Sequence, residues 1–207
     1  MLPLFPLNLI VFPNEPLNLH IFEPRYRQLI SDCIENKQTF GIPPFLNEKL
    51  QDYGAEIELV EIARRHTDGR MDIKTKCVGA FKMLSYYNPA PNKLYAGGEI
   101  ERIIHTDSST FLDKEKILAQ TTELWQLVKA KADVPTETEF LSFKIAHKIG
   151  LSLEQEYDLL RIADETERLE LISRHLDNII PIIREVERTK ERIRMNGHFK
   201  NFDELNF

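Results

Sequence analysis

The residues of this 207-residue chain that could do chemistry are placed so that little covalent chemistry follows from them. The serines are Ser31, Ser85, Ser108, Ser109, Ser142, Ser152 and Ser173. None stands in a Gly-x-Ser-x-Gly elbow, which would lift a hydroxyl clear of a strand-to-helix turn. The eight glycines include no Gly-x4-Gly-Lys-Ser/Thr loop to cradle phosphates, so ATP hydrolysis is not expected. The histidines are His20, His66, His105, His147, His175 and His198. No two are four residues apart, as a helical zinc site requires, and Cys33 and Cys77 lie far apart in sequence. No metal, no cofactor and no catalytic residue is therefore expected, and the chain is not read as an enzyme. His20 is expected to hydrogen-bond at a strand-to-helix junction, and Glu56, Glu58 and Glu61 to lie solvated on a strand.

Two non-covalent chemistries remain. Arg64-Arg65-His66 with Arg70, Lys74 and Lys76 offers positive charge, and Tyr86 and Tyr87 offer stacking faces. Glu56, Glu58, Glu61, Asp68 and Asp72 share the same stretch, so a mixed-charge surface is the better reading and nucleic acid is not an expected partner. Polypeptide binding fits better. Pro43-Pro44-Phe45-Leu46 and Tyr86-Tyr87-Asn88-Pro89-Ala90-Pro91 set large apolar side chains beside prolines, outside any alternating core pattern. Phe45, Leu46, Tyr86 and Tyr87 are the candidate binding residues, because exposed apolar patches on soluble proteins mark partner sites.

Composition and charge are those of an ordinary globular chain. Hydrophobic residues make up 42% and charged residues 29%, ordinary for a globular chain. The net charge is −6. Residues 1–106 hold 12 Lys+Arg and 13 Asp+Glu, and the rest hold 15 and 20, so neither part has the basic surplus of a polyanion binder. No apolar run reaches the ~20 residues of a membrane helix. The first residues lack a charged n-region and a cleavage site and are not read as a signal peptide. Two cysteines suggest no disulfide framework, and a cytoplasmic location with reduced thiols is expected.

The elements that must position these residues begin with residues 2–26, where five prolines cut an apolar stretch into short extended pieces. Residues 7–12 read as a strand, Pro13-Asn14-Glu15-Pro16 as a turn with Asn14 left-handed, and residues 17–22 as an alternating strand. Pro24 opens a helix to residue 35, with Tyr26, Leu29, Ile30, Cys33 and Ile34 on one face. Cys33 is read as a core side chain. Residues 39–43 read as a strand and 44–53 as loop. Residues 56–65 and 71–83 form a hairpin about Thr67-Asp68-Gly69-Arg70, with a bulge at Gly79. Residues 94–104 form the last strand, bent at Gly97-Gly98.

After residue 107 the period turns helical. Ile117, Leu118, Thr121, Leu124, Trp125, Val128 and Ala132 share a face, and Pro135 ends that helix. Capping boxes are expected at Thr136 with Glu139 and at Ser152 with Gln155, and a C-terminal cap at Gly150. The last helix carries a heptad seam of Leu169, Ile172, Leu176, Ile179, Ile183, Val186 and Ile193, kinked at Pro181. The oligomeric state does not follow from this pattern. The domains expected are a barrel-like part over 1–106, a helical bundle over 107–196 and a tail over 197–207.

Leu4-Phe5-Pro6-Leu7, Phe12-Pro13 and the run from Leu17 through Phe22-Glu23-Pro24-Arg25-Tyr26 resemble the start of the Lon protease N-terminal, or substrate-binding, domain. The likeness continues at Gly69-Arg70, Gly79-Ala80-Phe81, Leu159-Leu160 and Glu167-Arg168-Leu169. Asn14 stands where the family usually has glycine. The resemblance implies an α+β fold: an N-terminal PUA-like β pseudo-barrel with one helix, then a C-terminal helical bundle ending in a long kinked helix. It implies a stand-alone, non-catalytic module without ATPase or peptidase parts. Such a module would recognise unfolded or tagged client polypeptides or act as a proteolysis adaptor beside a protease, with no membrane partner. The alternative it leaves is an RNA-binding protein built on the PUA-like barrel.

Overall fold

The structure is a computed structural model and describes residues 1–199. In chain order the elements are β1 (Leu2–Leu4), β2 (Pro16–Ile21), α1 (Pro24–Asn36), β3 (Phe40–Ile42), β4 (Phe45–Leu46), β5 (Lys49–Leu50), β6 (Tyr53–Arg65), β7 (Met71–Met83), β8 (Ala96–Gly98), β9 (Ile100–Ile103), α2 (Phe111–Leu127), α3 (Leu141–Ile145), α4 (Leu153–Arg161) and α5 (Glu165–Phe199). The fold is α+β, with the strands in the N-terminal part and the long helix last. Two compact units result. Met1–Thr106 joins Ser152–Asp164 in one, and Asp107–Leu151 joins α5 in the other. The segment holding α4, read from sequence as part of the helical bundle, thus falls in the strand-rich unit. Of the tail, residues 200–207 lie outside the described residues.

In the first unit one seven-stranded sheet runs in the order β2-β7-β6-β3-β1-β8, with β9 also on β7. The sheet does not close, so the pseudo-barrel is open. Its backbone is the β6–β7 hairpin. Gly69 takes φ +85° at the turn, and the Asp68 carboxylate accepts the Arg70 N–H at 3.1 Å. Three register shifts break the ladder. At the first, Glu56 faces Gly79 and Ile57 faces Cys77, so Val78 is the extra residue beside the expected Gly79 bulge. The second, between Leu59 and Glu61, produces the change of phase seen in the sequence alternation. Residues 94–104 form two strands: β8 pairs with β1 and β9 with β7, the chain turning at Glu99 after Gly98.

The first strand is not residues 7–12 but β1, whose Leu4 pairs with Gly41 of β3 on one side and with Ala96 of β8 on the other. Residues 7–12 are irregular instead. Ile10, Val11 and Phe12 are buried there, and the Phe12 N–H is satisfied by the Glu15 carboxylate at 2.9 Å rather than by a neighbouring strand. Asn14 has φ 69°, as the turn reading requires. α1 buries Tyr26, Leu29, Ile30 and Cys33 against Phe40, Ile42, Ile57, Ile73 and Cys77, while Ile34 at its rim is exposed. Burial pushes the Cys33 and Cys77 thiols up to about 12, so both are inert core side chains.

In the second unit α2 packs along α5. Ile117, Leu124 and Trp125 of α2 and Leu169, Ile172 and Leu176 of α5 are buried. Lys116 Nζ donates to Ser173 Oγ at 2.8 Å, and the Trp125 indole donates to the Lys148 carbonyl at 2.8 Å. Farther along the seam Val186 and Ile193 are exposed, so only its first half is core. The cap expected at Thr136 and Glu139 is absent: α3 starts at Leu141, after Phe140 in a left-handed conformation. A box forms instead at Thr110 with Asp113. The box at Ser152 with Gln155 forms as read, and Gly150 has φ +77°. Arg168 is 0% exposed, paired with Glu165 at 2.8 Å, with its guanidinium 4.3 Å from the Phe143 ring centre. Ser142 donates both its N–H and its hydroxyl to the Glu165 carboxylate, at 2.8 and 2.6 Å.

Candidate functional site

The candidate binding residues fall on two extended pieces, and alternation divides each adjacent pair. Residues 44–53, read as loop, form a small hairpin: β4 pairs with β5 across Asn47 (φ 50°) and Glu48 (φ 62°). Two left-handed residues in sequence are what a tight two-residue hairpin turn demands. In β4 the side chains alternate, so Phe45 is 46% exposed and Leu46 only 4% exposed. Leu46 is therefore core, not part of an exposed patch. Tyr87 makes an isolated antiparallel bridge to Gly97, with its N–H donating at 2.8 Å and its carbonyl accepting at 2.9 Å. That extended backbone turns Tyr86 and Tyr87 to opposite sides.

Phe45 and Tyr86 come together at one cleft of ≈ 570 Å³. Leu7, Tyr26, Leu50 and Ala96 supply apolar surface there, and Pro6, Asn8, Arg25 and Asn88 complete the lining. Tyr87 is exposed at 47% but does not line this cleft. The volume lies within the range of ligand clefts, about 300–1,000 Å³. Its walls come from distant parts of the chain. The N-terminal segment is tied to β4, since Phe45 N–H donates to the Leu7 carbonyl at 2.8 Å and Leu7 bridges Pro44. α1 contributes Tyr26 and Arg25 because Pro24 starts the helix at the cleft edge.

The electrostatics are restrained. The Arg25 guanidinium lies 4.6 Å from the centre of the Tyr26 ring and is paired with Glu23 at 2.8 Å, so its charge is compensated. Burial raises the Tyr86 phenol above its ordinary range, opposed by Arg25 and by a hydrogen bond with Asn88. The Tyr26 phenol is also raised by burial. The cleft is thus an apolar trough with two side-chain amides and one compensated cation. Amides can donate and accept at once, which suits the peptide groups of an extended chain. No nucleophile and base pair lines it.

Sequence reasoning singles out Phe45 and Tyr86, which line the cleft, and does not single out Tyr26, Arg25, Asn8 and Asn88 as binding residues, although they line it too. Tyr26 was assigned to the core, which it also serves. Asn8 and Arg25 carry no signal of their own and gain meaning only from the fold. Of the basic residues considered for phosphate binding, Arg70 pairs with Asp68 at 2.7 Å and Lys74 with Glu61 at 2.6 Å. Among the described residues no helix is long and apolar enough to cross a membrane.

Comparison with known proteins places this architecture. The Lon N-terminal domain protein from Xanthomonas campestris is similar at 24% identity, with a TM-score of 0.65 over 82% of this chain and 94% of that one. The N-terminal domain of the Mycobacterium avium complex Lon protease is similar at 16% identity, with a TM-score of 0.64 over 86% of this chain and 98% of that one. These likenesses establish a shared fold. The family model for the ATP-dependent protease La (LON) substrate-binding domain matches residues 1–178, which span every strand, the cleft and the buried Arg168 network. The chain belongs to the LON substrate-binding domain family.

Proposed function

We propose that this chain is a non-catalytic, substrate-binding module that holds extended, apolar stretches of polypeptide in the Phe45–Tyr86 cleft. The observation that carries the reading is the convergence of Phe45 and Tyr86, from two separate proline-flanked segments, on one trough beside Tyr26. Aromatic anchors in a partly desolvated trough can supply much of a binding energy, often about 2 kcal/mol or more each. Family membership supports polypeptide as the ligand class. The clients would be unfolded or tagged proteins, and the module would act alone or as an adaptor beside a protease. Compensation of Arg70 and Lys74 by neighbouring acids argues against phosphate as the ligand. The buried thiols Cys33 and Cys77 fit a reducing, cytoplasmic setting.

Photo-crosslinking tests the site. A crosslinking amino acid placed at Phe45 should capture a reduced, alkylated, permanently unfolded protein, and one placed at exposed Ile104 should not. Equal capture at both positions would remove the cleft from the account.

A further inference from the structure

A second grouping lies away from the cleft and does not depend on the reading above. Asp72 stands in β7 between the buried Met71 and Ile73, so alternation turns its carboxylate to the open face of the sheet. His20 of β2 is its directly opposed partner across the ladder. His66 follows β6 in the hairpin turn, fixed by its N–H to the Arg70 carbonyl at 2.8 Å. The result is one carboxylate between two imidazoles: His20 Nδ1 is 2.6 Å from Asp72 Oδ1, and His66 Nε2 is 2.8 Å from Oδ2. One ligand atom from each of the three residues lies within 4.8 Å of the others. The His20 ring is steadied by Phe22, stacked with centroids 6.1 Å apart, and meets His66 edge-on at 5.8 Å.

We propose that His20, His66 and Asp72 form a site for one divalent transition-metal ion of the zinc class. Zinc takes histidine nitrogen and carboxylate oxygen at about 2.0–2.2 Å, so its tetrahedral ligand atoms stand about 3.4 Å apart. The hydrogen-bonded pairs at 2.6 and 2.8 Å reach that spacing by opening by less than about 1 Å, and any wider pair, none beyond 4.8 Å, by closing by up to about 1.4 Å, shifts that one exposed and two half-buried side chains allow. Each imidazole presents its lone pair to the ion once its proton sits on the other ring nitrogen. A donor set of two imidazoles and one carboxylate selects zinc, nickel, copper or cobalt over calcium and magnesium, which need more oxygen ligands. Three protein ligands leave a fourth position for water or for a donor from a partner. Of the neighbouring cations, Lys74 is paired with Glu61 and Arg70 with Asp68, while Arg64 stands opposite Asp72 across the β6–β7 ladder. The ion would staple β2 to the turn end of the β6–β7 hairpin. Sequence spacing gave no sign of it, because the two histidines lie 46 positions apart and only the β2–β7 register together with the β6–β7 hairpin turn brings them to Asp72.

The test is a titration of the full chain, stripped with a chelator, with Zn²⁺ by calorimetry and with Co²⁺ by visible absorption. Wild type should bind one equivalent, melt at a higher temperature with the ion, and give the absorption of low-symmetry Co²⁺. His20→Gln and Asp72→Asn should each weaken binding at least about tenfold, since even outer-shell partners of a metal are worth about 10–100-fold. His20 is exposed, so metal-free melts of its variant should match wild type and separate ligand loss from misfolding. Absence of one-to-one saturation, or unchanged affinity in both variants, overturns the proposal.

Discussion

The Tyr26 ring lies on the Phe5 ring with centroids 3.7 Å apart and planes 27° from parallel. Tyr26 is buried, yet it also lines the cleft. Core and cleft are therefore continuous: the first helix turn that closes the interior also lines the trough. Truncation at this point should register as stability. Tyr26→Ala is expected to cost about 3 kcal/mol in urea unfolding, the usual range for removing a packed ring. Tyr26→Phe should keep most of the stack. An unchanged midpoint for the alanine variant would show that the ring is not core.

Acid sensitivity should concentrate at Glu56. Its carboxylate is only 4% exposed and accepts from Arg102 Nε and Nη2 at 2.6 and 2.8 Å and from Thr39 Oγ1 at 2.5 Å. The Arg102 bonds, opposed by burial and aided by Thr39, hold it below the ordinary carboxylate range. A folded value below the unfolded one gives stability that is complete above the unfolded value and lost as pH falls through the folded one. Glu56→Gln should therefore cost about 1–3 kcal/mol at neutral pH. It should also flatten the fall in stability below the ordinary carboxylate range. Denaturant melts of both proteins across acid pH check this, and parallel curves would contradict it.

The Glu165–Arg168 pair is fully enclosed, and its partners make it costly to break from one side. Arg168→Met is expected to destabilise by about 3–5 kcal/mol, because it strands a buried carboxylate. Adding Glu165→Gln should recover part of that loss. A single variant that melts like wild type would show that the carboxylate finds another partner or water.

α5 runs as one helix through Pro181, which is exposed. Proline there removes one backbone bond and crowds the preceding turn. Pro181→Ala should stabilise the fold by up to about 3 kcal/mol of helix propensity, read as a higher melting temperature, and straighten the helix. A crystal structure of the variant superimposable on that of wild type would assign the helix path to packing against α2.

These sites differ in how far sequence alone revealed them. Local chemistry was readable: Pro24 and the spacing of Tyr26, Leu29, Ile30 and Cys33 gave α1, Thr67-Asp68-Gly69-Arg70 gave the long hairpin, and Ser152 with Gln155 gave the start of α4. What depends on distant pairing was not readable. β1 exists because β3 and β8 flank it, although it contains Pro3. The small hairpin turns on Glu48, a residue with no preference for left-handed backbone. The cap at Thr136 and Glu139 had the right residues, but the chain stays irregular until Phe140. At the cleft, the parity of an extended chain chose Phe45 over Leu46 and Tyr86 over Tyr87, and the composition of a proline-rich segment does not encode that parity.

The central claim is that the cleft binds polypeptide, and one titration tests it most directly. An unfolded, reduced and alkylated protein is titrated against wild type, Phe45→Ser with Tyr86→Ser, and Tyr87→Ser as the control outside the cleft, beside thermal melts and a structured RNA. The account predicts that the double variant loses about tenfold or more in affinity, since a single anchor can carry about 2 kcal/mol. Its melting temperature should barely move, Tyr87→Ser should bind as wild type does, and RNA binding should be negligible at physiological salt. Client binding that survives the double change in a folded protein, or RNA binding with a steep salt dependence, would contradict it.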